Sequence, residues 1–168
     1  MDRRKFIKNG TILTAGLSVS PVNSNTGGSG KKKSFQAAFL TDVHIKPEEV
    51  AETGMRKAFR HVNSLEPAPE FIINGGDSIM DALAADQDET RAQWDLWEKV
   101  LLEENQLPVY HCIGNHDIWG WQVDDERIRS NPLYGKSWAV QQFKLQNRFY
   151  SFEREKWKFI VLDSTQQD

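Results

Sequence analysis

The sequence predicts an α/β fold built around a parallel β-sheet. Three short apolar runs, at residues 35–40, 71–73 and 108–113, have the length and composition of buried strands. Residues 48–65 and 85–104 lie between these runs and show helical periodicity. Strands that alternate with helices are typical of βαβ units, in which the strands pair in parallel.

The two helices are predicted from apolar stripes. In the first, Met55, Phe59 and Val62 recur at spacings of three or four residues. In the second, Trp94 and Trp97 recur in the same way. Side chains at this spacing share one face of a helix, so each helix has an apolar face to bury against the sheet.

The last third of the chain predicts smaller elements. A polar loop at residues 122–132 precedes a short predicted helix at residues 134–143. Two runs rich in aromatic and β-branched residues, 148–152 and 157–163, predict a β-hairpin whose turn lies at residues 153–156.

Charge is distributed unevenly along the chain. Residues 1–33 contain seven Lys or Arg against one Asp, and the whole chain has a net charge of −3, so the remainder carries −9. A domain this acidic is a poor general binder of nucleic acids, whose phosphates are held by clustered Lys and Arg. Divalent cations would still reverse the local sign at a site lined with carboxylates.

Residues 1–33 have the layout of an export signal followed by a linker. Arg3, Arg4, Phe6 and Lys8 precede a short apolar stretch, and this order resembles the twin-arginine class of signals. The resemblance implies export to the periplasm or another extracytoplasmic compartment of a bacterium, with the twin-arginine export machinery as a partner. The apolar stretch is too short to span ~30 Å of hydrocarbon, so we expect no stable membrane anchor in the mature protein. The alternative is a basic tail.

Metal-type ligands follow each of the three predicted strands. Ligands in open α/β sheets bind outside the carboxyl ends of the strands, so clusters that are distant in sequence are expected to converge there. The clusters are Asp42-Val43-His44, Gly76-Asp77-Ser78-Ile79-Met80-Asp81 and Gly114-Asn115-His116-Asp117.

Each cluster has a functional and a structural interpretation. Asp42 and His44 would point to one side of an extended segment and chelate one ion, or they belong to an ordinary polar loop. Asp77 and Asp81 would share a face over one helical turn, or Asp81 is simply favoured near a helix N-terminus. Asn115 is an uncommon metal ligand, so it is informative only beside the other clusters.

Taken together, D-x-H, G-D-x-x-D and G-N-H-D in this order resemble the calcineurin-like metallophosphoesterase superfamily over residues 35–163. The resemblance implies a four-layer αββα sandwich, of which this chain would represent roughly the first half. It implies hydrolysis of a phosphate-ester substrate, either a phosphomonoester or a phosphodiester. It also implies a dinuclear centre of two divalent ions (Mn, Fe or Zn) with a bridging hydroxide.

The same resemblance implies roles for individual residues. Asp42 and His44 would bind the first ion, Asp77 would bridge the two ions, and Asn115 would bind the second. His116 would stabilise the transition state or protonate the leaving oxygen rather than bind metal, and Asp81 would orient it. Asp117 would support the loop.

The chain departs from the family pattern in its histidines. None of its four histidines follows His116, whereas the family has further histidines, including a Gly-His-x-His pair. We therefore expect residues 34–168 to be a domain truncated at its C-terminus, which binds metal weakly, hydrolyses little and exposes an apolar face. A non-catalytic fragment, or a metal- or partner-binding module, is the main alternative. A metallohydrolase acting on an amide bond is a third, which the ordered motifs disfavour.

Three further features have a functional and a structural interpretation. Trp119 and Trp121 would form a wall for an aromatic substrate group, or they pack under a loop. His61 is expected at the helix surface. His111 lies inside the third strand, where we expect it to be a buried polar residue or a support for the site.

Overall fold

The computed structural model describes residues 35–165 of the 168-residue chain. The predicted export signal at residues 1–33 lies outside the described residues. Within them, no helix combines the length and the apolar character needed to cross a bilayer.

The predicted parallel sheet is confirmed. Strands β1 (Ala37–Leu40), β2 (Phe71–Asn74) and β3 (Val109–His111) pair in parallel in that order, so β2 is central. Leu40 lies opposite Asn74, which in turn lies opposite His111. This register brings the carboxyl ends of all three strands to one edge of the sheet, where the ligand clusters begin.

β1 is only partly buried, whereas its apolar composition predicted a buried strand. Ala38 is buried, but Phe39 is 63% exposed. β1 is one of the two edge strands of the sheet, and the apolar composition of a strand does not show which of its faces is covered.

Both long helices are confirmed. Helix α1 (Glu49–Asn63) buries Met55, Phe59 and Val62, as its stripe predicts. Helix α2 (Gln87–Glu104) buries Trp94 and Trp97, and it begins with a capping box in which the Asp86 carboxylate accepts from the Glu89 N–H.

The two helices are joined at their surface by ion pairs. Arg56 of α1 donates to Glu103 and Glu104 of α2 at 2.6 and 2.9 Å, and Arg60 donates to Glu104 at 2.6 Å. Several charges that share one network hold helices together better than an isolated surface pair does.

The later elements follow the prediction with one addition. A single-turn helix α3 (Glu126–Arg129) interrupts the predicted polar loop, and the predicted short helix is α4 (Ser137–Gln142). The Asp125 carboxylate accepts from the backbone N–H of Arg127 and so caps α3. A single turn lacks the length that makes periodicity visible in a sequence.

The predicted hairpin is also confirmed. Strands β4 (Tyr150–Arg154) and β5 (Trp157–Val161) pair antiparallel. Phe152 stacks on Tyr110 of β3 with 3.4 Å between ring centroids, and Phe152 and Phe159 both contact Phe71 edge-to-face. The hairpin therefore covers part of one face of the parallel sheet, over β2 and β3.

The opposite face of the sheet packs against helices. Alternation along β2 places Ile72 on that side, where it belongs to a buried cluster with Phe59, Trp94 and Trp97. The described residues thus form a mixed α/β fold of three layers: helices, parallel sheet and hairpin. An apolar surface remains on the sheet and hairpin side, where five side chains are more than 60% exposed: Phe39, Phe149, Trp157, Ile160 and Leu162.

A buried ion pair between Lys136 and Asp163 links the end of the hairpin to α4. Lys136, at the N-cap of α4, donates to both carboxylate oxygens of Asp163 at 2.7 and 2.8 Å and also to the Thr165 carbonyl. The side chains of Lys136 and Asp163 are only 7% and 8% exposed. Burial raises the pKa of Asp163, but hydrogen bonds from Lys136 and Thr165 outweigh it, so the net pKa lies below its usual range.

Lys136→Met should destabilise the protein by about 3 kcal/mol, because it leaves a buried carboxylate without its main partner. Lys144→Met is the matched control, since Lys144 is 82% exposed and its nearest pair, with Glu98, is 3.8 Å long. The control should cost less than about 1 kcal/mol. Urea unfolding at neutral pH measures both.

The same pair predicts a dependence on pH. A carboxyl group whose pKa is lowered by folding stabilises the folded state above its unfolded pKa, and this stabilisation is lost as the pH falls through the folded value. The difference between the wild type and Lys136→Met should therefore shrink in acid, below the ordinary pKa of Asp. A difference that stays constant from neutral to acidic pH would contradict the ion pair.

Candidate functional site

The loops that follow the three strands are hydrogen-bonded to one another. Asp42 N–H donates to the Gly76 carbonyl at 3.1 Å, and His44 N–H donates to the Asp77 carbonyl at 3.0 Å. His116 N–H donates to Asp77 Oδ1 at 2.9 Å. The expected convergence at the carboxyl ends of the strands is therefore present, with Asp77 at its centre.

The first cluster does not have the extended backbone that the sequence predicted. Asp42 and His44 have φ values of 54° and 49°, in the left-handed region that Asp and His tolerate better than most residues. The Asp42 carboxylate is largely exposed and accepts from the Thr41 hydroxyl at 2.6 Å. His44 turns inwards, and its Nδ1 is buried without a hydrogen-bond partner in the described part of the chain.

The second cluster depends on two glycines. Gly76 has a φ of 100°, and a Cβ there would lie 2.6 Å from the backbone nitrogen of Gly114. A Cβ at Gly114 would overlap the Asp77 carboxylate. Since only glycine lacks a Cβ, these two positions allow the second and third loops to approach closely enough for Asp77 to reach the His116 N–H.

His116 is oriented by a backbone group. Its Nδ1 lies 2.5 Å from the Met80 carbonyl, which can only accept, so Nδ1 carries the hydrogen. Nε2 is the ring nitrogen left for an ion or a substrate. The His116 ring meets the His44 ring edge-to-face with 4.6 Å between centroids.

These contacts produce one candidate metal centre. His44, Asp77 and His116 each offer a ligand atom, and the three atoms lie within 4.8 Å of one another. No other trio of His, Cys, Asp or Glu between residues 35 and 165 meets this condition. Imidazole and carboxylate ligands suit Zn, Fe or Mn, and the unpartnered His44 Nδ1 is the type of buried atom that an ion would satisfy.

The fold and this cluster agree with a known family. The family model described as calcineurin-like phosphoesterase matches residues 35–163, which is more than half of the chain. The chain belongs to the calcineurin-like phosphoesterase family. No curated protein matches it. Membership of this family indicates that the domain is of a type that hydrolyses phosphate esters with the help of divalent metal ions.

Within this phosphoesterase domain, Asp81 directly follows Met80, whose carbonyl contacts His116 Nδ1, but the Asp81 carboxylate makes its own hydrogen bonds with other groups. The segment from Asp77 to Asp81 is not helical, because it continues to pair with the first loop through a parallel bridge between Ile45 and Ile79. The expected helical turn was therefore wrong. Asp81 Oδ1 accepts from the backbone N–H groups of Leu83 and Ala84, at 2.8 and 3.3 Å. The role of Asp81 in orienting His116 stays a prediction.

Asn115 and Asp42 lie at the exposed rim of the domain's site. Asn115 is exposed. Asp77 and His116, which are joined by the hydrogen bond from His116 N–H to Asp77 Oδ1, are half-buried. Asp42 Oδ1 lies 3.8 Å from His44 Nε2. Their predicted roles as ligands therefore require an ion on the outer side of the site, and they stay predictions.

Gln93 supports the backbone of Asp81 at the site, and the sequence interpretation missed it. It is 6% exposed and forms two 3.0 Å hydrogen bonds with the backbone N–H and carbonyl of Asp81. The signal was present, because Gln93 lies four residues before Trp97 on the apolar face of α2, where a polar side chain needs a buried partner.

Asp117 holds the second and third loops together. Its fully buried carboxylate accepts from the backbone N–H groups of Ser78, Ile79 and Gly114 at 2.8, 3.3 and 2.9 Å. Burial raises the pKa of Asp117 to about 7, although these three hydrogen bonds oppose the shift. These contacts agree with the supporting role that the family resemblance implied.

The remaining sequence features have structural explanations. Trp119 is buried, donates to the Ala85 carbonyl and meets Trp138 edge-to-face, so the packing interpretation of this residue is favoured. His61 is exposed on α1, as expected. His111 is buried and stacks on Phe143.

Asp117→Ala should destabilise the domain by about 3 kcal/mol or more, because each buried N–H left without an acceptor costs about 1–3 kcal/mol. Asp124→Ala is the matched control, because the Asp124 side chain is 93% exposed. It should cost less than about 1 kcal/mol. Equal losses in urea unfolding would show that Asp117 does not hold the loops.

Proposed function

We propose that this chain is a metal-dependent phosphoric ester hydrolase that acts on a phosphomonoester or phosphodiester at a dinuclear site. The observation that supports the proposal most directly is the convergence of His44, Asp77 and His116 within 4.8 Å at the carboxyl edge of a phosphoesterase domain. No single strand or loop supplies this trio, so its assembly requires the whole sheet.

The proposed ligands divide between two ions. His44 and Asp42 would hold the first ion, Asp77 would be shared, and Asn115 would contribute to the second through its side-chain oxygen. Mn, Fe and Zn all suit this mixture of imidazole, carboxylate and amide ligands. Bound divalent ions would polarise the phosphoryl oxygens and make a water molecule acidic enough to attack near neutral pH.

His116 would act on the leaving group. The Met80 carbonyl fixes a hydrogen on Nδ1, so Nε2 is the ring nitrogen from which a protonated His116 would donate to the leaving oxygen. A proton given to the leaving oxygen offsets the negative charge that develops there. Its place in the close trio also makes His116 a candidate ligand, and metal content separates the two roles.

A metal-binding module without turnover is the second candidate. Among the described residues, the second ion would have only Asp77 and Asn115, whereas ions of this type usually take four to six ligands. A single ion held by the close trio would then be bound without a partner for two-metal hydrolysis.

Asp77→Asn should remove most of the bound Mn²⁺ and the activity, because it removes the negative charge of a ligand. The asparagine oxygen can still accept from the His116 N–H, so the contact between the loops is kept. Where the wild type hydrolyses p-nitrophenyl phosphate or its bis-ester, even slowly, His116→Ala should lower that rate by at least about 100-fold. Unchanged metal content in His116→Ala indicates the proton-donor role, and lost metal indicates a ligand.

His61→Ala is the control for these measurements, because His61 is an exposed histidine on α1. It should behave as the wild type does. A His116→Ala variant with wild-type activity would overturn the proposed mechanism. A wild type that binds Mn²⁺ stoichiometrically but hydrolyses neither ester would instead favour the metal-binding module.

We also propose export through the twin-arginine machinery, on the basis of Arg3, Arg4, Phe6 and Lys8. Residues 1–33 fused to a folded reporter should be exported in a bacterium, and the double change Arg3→Lys and Arg4→Lys should block export although the charge is unchanged. Lys8→Arg, which also keeps the charge, is the control and should have little effect. Export of the double variant at the wild-type level would contradict this assignment.

A further inference from the structure

We propose that Asn74 is a positioning residue that sets the conformation of the Asp77 loop for metal binding, and that His111 holds Asn74 in place. This inference rests on the proposed function, since it concerns metal binding at Asp77. Neither residue belongs to the three ligand clusters, and neither contributes an atom to the close trio.

Asn74 ends the central strand and is 1% exposed. Its Oδ1 accepts from Gly76 N–H at 3.3 Å, and its Nδ2 donates to Ser78 Oγ at 2.8 Å. One side chain therefore contacts the residues immediately before and after Asp77. The backbone between them has φ values of 100° at Gly76 and 52° at Asp77.

These contacts oppose a local conformational preference. A left-handed residue that is not glycine costs about 1–2 kcal/mol, and such a conformation persists only where its surroundings impose it. The two hydrogen bonds of Asn74 define the path of the loop on each side of Asp77. Without them, the Asp77 carboxylate would lose its fixed position relative to His44 and His116.

Gly76 sets which way the Asn74 amide faces, and His111 holds it there. Gly76 N–H can only donate, so the atom of Asn74 that it meets is the oxygen, and the nitrogen faces Ser78 and His111. His111 Nδ1 lies 3.1 Å from Asn74 Nδ2 and accepts its second hydrogen. The ring stacks on Phe143 with 4.2 Å between centroids, and Tyr150 donates its hydroxyl to the His111 carbonyl at 3.0 Å.

Burial supports this arrangement. It lowers the pKa of His111 to about 4, so the ring is neutral near neutral pH and Nδ1 keeps its lone pair. A buried amide costs several kcal/mol unless its hydrogen bonds are made, and here the oxygen and both amide hydrogens have partners.

The test compares Asn74→Ala with Val100→Ala in the full chain. Val100 is fully buried in α2, away from the ligand loops, and its truncation also destabilises the fold. Calorimetric titration with Mn²⁺, at a temperature where each variant is folded, gives affinity, and thermal unfolding without metal gives stability. We expect both variants to unfold at lower temperature, but only Asn74→Ala to bind Mn²⁺ about tenfold more weakly, as is typical when a group supporting metal ligands is removed.

His111→Phe provides a second variant if Asn74→Ala does not fold. Phenylalanine keeps a ring against Phe143 but lacks the Nδ1 acceptor, so Mn²⁺ affinity should fall about threefold, which corresponds to one ordinary hydrogen bond. If the wild type binds Mn²⁺ and the folded Asn74 or His111 variant binds it equally well, the positioning role is wrong. If the wild type binds none of Mn²⁺, Fe²⁺ and Zn²⁺, the proposed function fails and this inference fails with it; if it binds Zn²⁺ or Fe²⁺ alone, the same comparison of variants is made with that ion.

Discussion

The candidate site depends on the carboxylate of Asp117. Where two neighbouring parallel strands end, the regular backbone hydrogen bonds between them also end. The loops that follow must therefore be joined by other groups. Asp117 accepts N–H groups from both loops, Ser78 and Ile79 on one and Gly114 on the other. In its ionised form Asp117 makes charge-assisted contacts, which are stronger than neutral ones, and burial makes that ionised form costly, as its raised pKa shows.

Asp117 acts on one side of the Asp77 loop, and Asn74 acts on the other. Ser78 contacts both, since its N–H donates to Asp117 and its hydroxyl accepts from Asn74. The loop is thus held at the same residue by two buried polar side chains. This double attachment explains how Asp77 maintains a positive φ while its carboxylate accepts from His116.

The sequence predicted the elements well because apolar periodicity reports directly on which face is buried, as Met55, Phe59 and Val62 illustrate on α1. It also predicted that the ligand clusters would converge, because parallel strands in register must end at one edge. It did not predict the left-handed backbone of Asp42 and His44. Their conformation follows from hydrogen bonds to Gly76 and Asp77, which are distant in the chain.

Asp81 shows the same limit in another form. A spacing of four from Asp77 is consistent with a helical turn, but periodicity describes only local preference. Instead, the bridge between Ile45 and Ile79 keeps the segment from Asp77 to Asp81 beside the first loop. The Asp81 carboxylate then accepts from the N–H groups of Leu83 and Ala84 in the turn that follows. Side-chain partners in such loops depend on the path of several segments at once, so no local pattern encodes them.

The two ends of the central strand β2 have different roles, one in packing and the other at the site. Phe71, at its beginning, packs into the aromatic contacts with the hairpin, and Asn74, at its end, organises the metal loop. Three steps along the strand separate Phe71 from Asn74 by roughly 10 Å, so polar groups at the site need not enter the aromatic core. Ile72 and Asn74 nonetheless share the helix-facing side, and His111 contacts Phe143 on that side. The helical side of the sheet therefore reaches the site through His111 and Asn74 as well as through Gln93, and Tyr150 of the hairpin adds a hydrogen bond to the His111 carbonyl.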